Sequence, residues 1–245
     1  MSETQKVAIV TGGSRGIGRA VAVRLAREGF AVAVNYAGVQ ADAEKVVEEI
    51  ENIGGKAIAV KADVTKTADV ARLFDETEKA FGGIDVLVNS AGMMVIKPIA
   101  EMEDEIFDRT FAINVRGTFN TLKQAARRIR SGGHIINFST SVNPLTLPGY
   151  GAYGASKAAV EVLTSILTKE MRGRNVTVNT VGPGPTATEL FFEGKTQEQI
   201  DRLANLNPFE RLAKPDEIAG AVAFLVGPDG TWVNGQTLRV NGGMI

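Results

Sequence analysis

The sequence predicts a single-domain α/β fold in which a seven-stranded parallel sheet carries helices on both faces. Short apolar runs rich in Val and Ile alternate with longer helical patterns from one end of the chain to the other. That alternation is typical of repeated strand–helix–strand units, whose strands pair in parallel. A length of 245 residues, with 44% hydrophobic and 22% charged residues, fits one globular domain covering residues 1–245.

The predicted elements follow one another in a regular order. Strands are expected at 6–11, 31–36, 56–64, 84–89, 134–139, 176–181 and 236–242. Helices are expected at 19–30, 41–53, 67–81, 103–130, from Tyr153 onward and from Pro215 onward. Right-handed crossovers bring the carboxyl ends of such strands to one edge of the sheet, where folds of this class bind their ligands.

A glycine-rich loop joins the first strand to the first helix, with the sequence TGGSRGIG at residues 11–18. Glycine permits the tight turn, the close approach of the backbone to a pyrophosphate and the packing of helix on strand. The helix N-terminus then offers free N–H groups to the phosphates. This is the first unit of a dinucleotide-binding Rossmann fold, and it predicts cofactor contacts from Gly12, Ser14, Arg15, Gly16, Ile17 and Gly18.

Tyr153 and Lys157 are four residues apart at the start of a predicted helix. That spacing puts the phenol and the ammonium on one face, one turn apart. The ammonium favours the phenolate, so Tyr153 can exchange a proton with a substrate oxygen near neutral pH. Such a pair can also be an ordinary exposed helix face. This helix begins at the edge where ligands are expected, which favours the chemical interpretation.

Composition excludes several kinds of function. The chain has no Cys and a single His, His134, which is expected to open a strand, so neither a metal site nor a histidine-based triad is predicted. A net charge of −1 gives no reason to expect a nucleic acid partner. The N-terminal segment lacks the pattern of a signal peptide, and no apolar run approaches the roughly 20 residues that span a bilayer. A cytoplasmic protein without a membrane partner is therefore expected.

A set of motifs in fixed order gives the chain a family resemblance over essentially its whole length. The motifs are TGGSRGIG (11–18), Asp63-Val64, NSAG (89–92), Asn114, the Ser/Thr cluster 139–141, YGASK (153–157), PGPTATEL (183–190) and VNGQTLRVNGG (233–243). With them the chain resembles the short-chain dehydrogenase/reductase family, in its single-domain branch. Within that family it is most similar to 3-oxoacyl-acyl-carrier-protein reductases and to trihydroxynaphthalene-reductase-like enzymes.

The resemblance implies a catalytic set. Tyr153 would be the general acid for carbonyl reduction, and Lys157 would hold the nicotinamide ribose and lower the pKa of the tyrosine. Asn114 would hold a water that links Lys157 to solvent. The substrate carbonyl would be oriented by a hydroxyl thirteen residues before the tyrosine, a serine in most of the family and Thr140 here. Thr140 is favoured, and Ser141 is the alternative if the loop differs by one residue.

The resemblance also implies the remaining cofactor contacts. They are Asn35, Tyr36, Ala37, Asp63, Val64, Asn89, Ser90, Ala91, Gly92, Pro183, Gly184, Thr186 and Thr188, together with Tyr153 and Lys157. NADP(H) is preferred over NAD(H), because the second strand ends without the Asp or Glu that would repel a 2′-phosphate. Arg15 can meet that phosphate with its planar guanidinium, although it can also be an ordinary solvated loop charge.

The substrate is expected to be a small carbonyl compound, and acyl thioesters are among the candidates. Residues 187–212 are expected to form a lid over an apolar pocket. The pocket residues expected are Met93, Met94, Val142, Leu145, Leu147, Tyr150, Pro185, Phe191 and Phe192. The basic residues Arg127, Arg128 and Arg130 can either meet an acidic carrier protein or complement the end of a helix.

Other functions remain as alternatives. A non-enzymatic NADP(H)-binding regulator of the same fold would need neither Asn114 nor the Tyr153–Lys157 pair. A sugar-nucleotide epimerase or dehydratase would generally have a longer chain with a substrate domain. The resemblance further implies a homotetramer in which the long helix and the tyrosine-bearing helix pair with their symmetry mates. Asn241 stands where the family commonly has Asp, and no consequence follows from the sequence.

Overall fold

A computed structural model describes residues 5–245, and it contains one seven-stranded sheet. The strands are β1 (Val7–Thr11), β2 (Ala31–Tyr36), β3 (Lys56–Lys61), β4 (Val86–Asn89), β5 (His134–Phe138), β6 (Thr177–Pro183) and β7 (Thr237–Val240). Their order across the sheet is β3-β2-β1-β4-β5-β6-β7, and every neighbouring pair is parallel. The predicted Rossmann-type sheet is confirmed.

Ten α-helical segments connect and cover the described strands. They are α1 (Gly16–Arg27), α2 (Gln40–Asn52), α3 (Thr67–Phe81), α4 (Asp104–Phe111), α5 (Thr118–Arg128), α6 (Val142–Leu145), α7 (Gly151–Glu170), α8 (Glu189–Phe192), α9 (Gln197–Ala204) and α10 (Pro215–Val226). Short 3₁₀ turns lie at Ile99–Glu101 and Pro228–Gly230. Within the described chain, no helix combines the length and the apolar character needed to cross a membrane.

The single helix predicted over 103–130 is divided. A π-helical segment, Ala112–Gly117, lies between α4 and α5, and α5 ends at Arg128. Gly117 permits close packing at this point, because a Cβ there would lie 2.6 Å from the side chain of Val64. π-Helical turns inside helices occur frequently at functional sites, and this one contains the buried Asn114.

The two faces of the sheet each carry a separate hydrophobic core. In β1, Ala8 and Val10 pack on one face under α1, α2 and α10, while Ile9 packs on the other face under α3, α5 and α7. The strand is buried on both faces, as expected for the centre of a parallel sheet. Because the strands and helices form the two cores, the loops that follow the strands can form a binding site at the carboxyl edge of the sheet.

His134 has a structural role, as predicted from the absence of any motif around it. It opens β5, is buried, and its Nδ1 lies 2.9 Å from the hydroxyl of Thr177. Burial lowers its pKa to about 4, so the ring is neutral at physiological pH.

Candidate active site

A cavity of about 550 Å³ extends along the carboxyl ends of the strands. It lies where the order of strands reverses between β1 and β4, the expected position of a ligand in an open α/β sheet. Most of the predicted site residues contribute to its wall. They are Gly12, Ser14, Arg15, Gly16, Ile17, Gly18, Asn35, Tyr36, Ala37, Asp63, Val64, Ser90, Ala91, Gly92, Thr140, Ser141, Tyr153, Lys157, Pro183, Gly184, Thr186 and Thr188.

The backbone shapes the glycine-loop end of the cavity. Gly12 has a φ of 61°, and a Cβ there would lie 2.9 Å from the Cα of Ala91. A Cβ on Gly18 would lie 2.2 Å from the carbonyl oxygen of Gly12. The first turn of α1 contains no acidic residue, and no side chain caps its N-terminus. These residues fit the pyrophosphate of a dinucleotide, because free N–H groups and the positive end of the helix dipole face the cavity.

Asn35 supports this loop from the end of β2. Its side-chain Oδ1 accepts a hydrogen bond from the N–H of Gly12 at 3.3 Å, and its Nδ2 donates to the carbonyl of Ala62 at 3.0 Å. The residue is 1% exposed. Its side chain is therefore used to hold the glycine loop against the strand ends.

The adjacent corner of the cavity carries one exposed guanidinium, that of Arg15, with carboxylates nearby. The guanidinium of Arg15 is exposed and lies 3.7 Å from the Glu189 carboxylate. Asp42 also contributes to the wall, but its carboxylate lies 3.3 Å from the ammonium of Lys45. A 2′-phosphate that approaches Arg15 would therefore compete with the Glu189 carboxylate for the guanidinium.

Tyr153 and Lys157 lie at the opposite end, on the first turns of α7. The Lys157 ammonium donates to the carbonyl of Phe138 at 2.9 Å and lies 5.9 Å from the centre of the Tyr153 ring. Burial lowers the pKa of Lys157 to about 8. Burial also raises the pKa of Tyr153 to about 12, and the nearby Thr140 hydroxyl offsets part of this rise.

The expectation that the pKa of Tyr153 is lowered overall is therefore corrected, because burial raises it. The ammonium is directed to the Phe138 carbonyl, and desolvation of the phenolate is the larger effect. Tyr153 keeps its proton through the physiological pH range. The neutral phenol is the form that a proton donor requires.

The hydroxyls after β5 have different partners. Ser141 Oγ donates to the carbonyl of Gly182 at 3.0 Å and accepts from the Asn241 amide at 3.1 Å. Thr140 Oγ1 accepts from the N–H of Val142 at 3.2 Å, and this hydroxyl lies near enough to the phenol to lower the pKa of Tyr153. The hydroxyl directed towards the tyrosine is thus that of Thr140.

Two predicted site residues lie behind the cavity wall. The Asn114 side chain is held by the backbone of Met93, through a hydrogen bond from its N–H at 2.9 Å and one to its carbonyl at 3.0 Å. Asn89 donates to Asn137 at 2.8 Å and accepts from Thr121 at 2.7 Å. Asn114 therefore braces the loop after β4, whereas Asn89 joins the end of β4 to β5 and α5, and neither side chain lines the cavity.

Asn114 and Lys157 both approach Gly92. A Cβ on Gly92 would lie 3.3 Å from Asn114 Oδ1 and 3.5 Å from Lys157 Nζ. Glycine at this position therefore leaves room between the two polar atoms that a larger side chain would fill.

The substrate end of the wall is mostly apolar. Of the predicted pocket residues, those in the wall are Met93, Met94, Val142, Leu147, Tyr150, Pro185 and Phe191. Leu145 and Phe192 are outside it; neighbouring helix residues point about 100° apart, so Phe191 faces inward while Phe192 is 43% exposed. Leu190 and Leu203 enter the wall from the segment predicted as a lid, whereas the sequence analysis missed Arg109, Ile113 and Met244, which no local motif marks.

The basic cluster at the end of α5 is bound within the chain. Arg128 donates to the Glu78 carboxylate at 3.0 and 2.6 Å, and Arg130 donates to Asp85 at 3.2 Å. Only Arg127 of the three is exposed. The structural interpretation of this cluster is therefore favoured over a surface for an acidic carrier protein.

A dinucleotide cavity that holds a tyrosine, a lysine and a threonine hydroxyl at one end defines a nicotinamide-dependent oxidoreductase. A family model described as enoyl-(acyl carrier protein) reductase matches residues 12–245. The NADPH-dependent aldehyde reductase-like protein, chloroplastic, of Arabidopsis thaliana is 46% identical over 98% of this chain and 94% of its own. The hydroxynaphthalene reductase-like protein Arp2 of Metarhizium acridum is 40% identical over 98% of this chain and 95% of its own.

The solved structures agree with the sequence relatives. A short-chain dehydrogenase from Burkholderia cenocepacia in complex with NADP has a TM-score of 0.93 and 36% identity, covering 99% of each chain. The chain belongs to the short-chain dehydrogenase/reductase family, as its motifs predicted. It is an enzyme of the oxidoreductase class, which disfavours the regulator and the epimerase alternatives.

Proposed function

We propose that this enzyme reduces a ketone or a 3-oxoacyl-type carbonyl with NADPH, and that Tyr153 supplies the proton. The proposal rests on one observation: Thr140, Tyr153 and Lys157 line one end of a cavity whose other end is the glycine loop. The prediction of NADP(H) is confirmed by NADP in the solved Burkholderia relative and by NADPH in the name of the Arabidopsis one.

The cofactor would be held mainly by backbone groups. The glycine loop and the α1 N-terminus face the pyrophosphate, Arg15 faces the 2′-phosphate, and Lys157 serves the ribose at the nicotinamide end. When bound, the nicotinamide supplies the hydride, and the protein supplies position and the proton.

The proton reaches the substrate oxygen from the neutral phenol of Tyr153. Addition of a hydride to the carbonyl carbon and of this proton to the oxygen gives the secondary alcohol. The Thr140 hydroxyl donates to the same oxygen and orients it, while the nearby Lys157 ammonium stabilises the phenolate that forms. A water in the space beside Gly92, between Asn114 and Lys157, would return the proton from solvent.

The apolar wall supports a substrate with an aliphatic or aromatic body. Met93, Leu147 and Phe191 suit an acyl chain or a ring system, and the lid segment 187–212 contributes Leu190 and Leu203. The relatives named for aldehydes and for hydroxynaphthalene support the same general class of carbonyl substrate.

The first experiment compares two phenols in one cavity. Tyr150 and Tyr153 both line the wall, and their ring centroids are 6.4 Å apart. NADPH oxidation is followed with an acetoacetyl thioester, aryl ketones, quinones and a 2-enoyl thioester. Tyr153→Phe is expected to lower kcat by about 10³-fold, as for loss of a general acid. Its affinity for NADPH, measured by fluorescence, is expected to stay within about twofold of wild type because the phenol lies at the substrate end.

Tyr150→Phe is the matched control, and it is expected to retain most of the activity. A Tyr153→Phe enzyme that keeps a tenth of the wild-type kcat would contradict the proton-donor role. If the enoyl thioester is the preferred substrate, the proposed carbonyl reduction is wrong and the enzyme instead reduces a carbon–carbon double bond.

The enzyme is further proposed to assemble as a homotetramer. The helices expected to pair carry exposed apolar side chains, with Phe107 and Phe119 on α4 and α5, and Val162 and Ile166 on α7. Sedimentation velocity is expected to give a tetramer for the wild type and a smaller species for Val162→Glu. Ile53→Glu, at an exposed apolar position beyond α2, is the control and is expected to leave the tetramer intact. A monomeric wild type would contradict the proposal.

A further inference from the structure

Thr140 is held between two serines that are bound to distant parts of the chain. On one side Ser139 donates to the carboxylate of Glu161 on α7. On the other side Ser141 donates to the carbonyl of Gly182 in β6. The loop that presents the Thr140 hydroxyl is therefore fixed by side-chain hydrogen bonds on both flanks.

Asn241 lies directly behind Ser141 and is 9% exposed. Its amide Nδ2 donates to Ser141 Oγ at 3.1 Å, across 100 residues of sequence. Its Oδ1 accepts from the N–H of Gly243 at 3.1 Å. The next residue, Met244, belongs to the cavity wall. One amide thus joins the loop that carries Thr140 to the C-terminal segment of the same wall.

The amide sets the direction of the Ser141 hydroxyl. A hydroxyl has one proton to donate. Because Asn241 donates to Ser141 Oγ, that proton is directed to the carbonyl of Gly182. A carboxylate at position 241 has no proton to give, so Ser141 would turn to donate to it, and Gly182 would lose this hydrogen bond. The backbone beside Thr140 would then shift.

We infer that Asn241 is a positioning residue for carbonyl reduction, which fixes Ser141 and, through it, the hydroxyl of Thr140. The inference rests on the proposed role of Thr140. It explains why the neighbouring serine does not compete for the substrate oxygen, and it gives Asn at this position a function that Asp cannot perform at neutral pH.

The experiment replaces Asn241 by Asp in the full chain. At pH 8, Asn241→Asp is expected to lower kcat about tenfold, because a small misplacement of an orienting group is sufficient for such a loss. The KM for NADPH is expected to stay within about twofold. Asn52→Asp, an exposed position at the end of α2, introduces the same charge far from the cavity and is the matched control.

The pH profile tests whether the loss of activity depends on the charge at position 241. A buried carboxyl has a pKa above its usual value, and once protonated it can donate to Ser141. The ratio of wild-type to Asn241→Asp activity is therefore expected to fall toward one as the pH falls toward about 5. The inference would be overturned if this activity ratio did not change with pH. It would also be overturned if Asn241→Asp had the same kcat as Asn52→Asp at every pH.

A double-mutant cycle provides a second test that does not depend on folding with a buried charge. Asn241→Ala and Ser141→Ala are each expected to lower kcat about fivefold, and the double variant no further than the worse single one. Additive losses in variants that melt like wild type would overturn the inference. If Thr140→Ala keeps wild-type activity, the proposed function of Thr140 fails instead, so the two failures are distinguishable.

Discussion

The two ends of the cavity differ in the groups that face the ligand: backbone groups at one end and side chains at the other. At the glycine-loop end, backbone groups face the ligand, and Gly12 and Gly18 are required because a side chain would collide with the neighbouring backbone. At the catalytic end, side chains face the ligand, and their positions depend on partners such as Asn241 that are far away in sequence. Changes at the catalytic end are therefore expected to affect turnover, and changes at the glycine-loop end to affect cofactor affinity.

Substitutions at Thr140 should give the largest difference between the effect on kcat and the effect on NADPH affinity. Thr140→Ala is expected to lower kcat about 10²-fold while leaving NADPH affinity unchanged, since it removes the hydroxyl that orients the carbonyl. Thr140→Ser keeps the hydroxyl and is expected to stay within a few-fold of wild type, with a lower KM for bulkier ketones because the methyl group is gone. Steady-state kinetics on both variants check this. Equal losses in Thr140→Ala and Ser141→Ala would mean that Thr140 has no special role.

Substitution of Arg15 tests the other end. Arg15→Ala is expected to weaken NADPH binding by roughly tenfold to hundredfold, the usual effect of losing a charge-assisted hydrogen bond, and to leave NADH binding unchanged. Arg19→Ala is the control, because Arg19 lies in the same helix and pairs with Glu49 at 2.7 Å. Cofactor titration by fluorescence provides the measurement. An equal loss of affinity for NADPH and NADH would show that Arg15 does not contact the 2′-phosphate.

The reverse change at the same corner should alter the cofactor preference. Ala37→Asp places an acid just after β2, where it can bind ribose hydroxyls and repel a 2′-phosphate. The ratio of NADPH to NADH affinity is expected to fall by at least as much as in Arg15→Ala. An unchanged ratio would mean that the end of β2 does not face the adenine ribose.

The contrast between the two ends also explains what could be predicted from the sequence. The fold and the glycine loop follow from local patterns, because strand periodicity and glycine spacing are properties of adjacent residues. The parallel pairing of the strands was predictable from the helices that connect them, but the π-helical segment 112–117 was not, because it depends on packing between distant residues such as Gly117 and Val64.

Partners at long range account for most of what the sequence analysis missed. Tyr153 and Lys157 were found because four residues separate them, whereas Asn241 and Ser141 are 100 residues apart. Arg109 and Met244 enter the wall from elements without any motif. The structure was also needed to tell whether the pKa of Tyr153 is raised or lowered. Desolvation of the phenolate raises this pKa and attraction by an ammonium lowers it, and the extent of burial decides which effect is larger.

Lys157 allows a test in which the catalytic end affects stability as well as turnover. Burial lowers its pKa in the folded chain to about 8, from its ordinary value of 10.5. Below pH 8 the folded chain therefore holds a poorly solvated ammonium. Between about pH 8 and 10.5 the unfolded chain binds more protons than the folded one, so this destabilising contribution decreases as the pH rises. The contribution at pH 7 corresponds to about 3 kcal/mol at most.

Lys157→Met keeps the length of the side chain and removes its charge. It also removes the hydrogen bond to the Phe138 carbonyl, which offsets about 1–2 kcal/mol of the gain. The variant is therefore expected to be inactive and yet more stable than wild type by roughly 1–2 kcal/mol at pH 7. This advantage should shrink as the pH approaches 9.5. Urea unfolding between pH 6.5 and 9.5 measures both quantities and stays below the titration of the tyrosines. A variant less stable than wild type at pH 7 would mean that Lys157 stabilises the fold, and that the demands of catalysis and stability do not conflict at this end of the cavity.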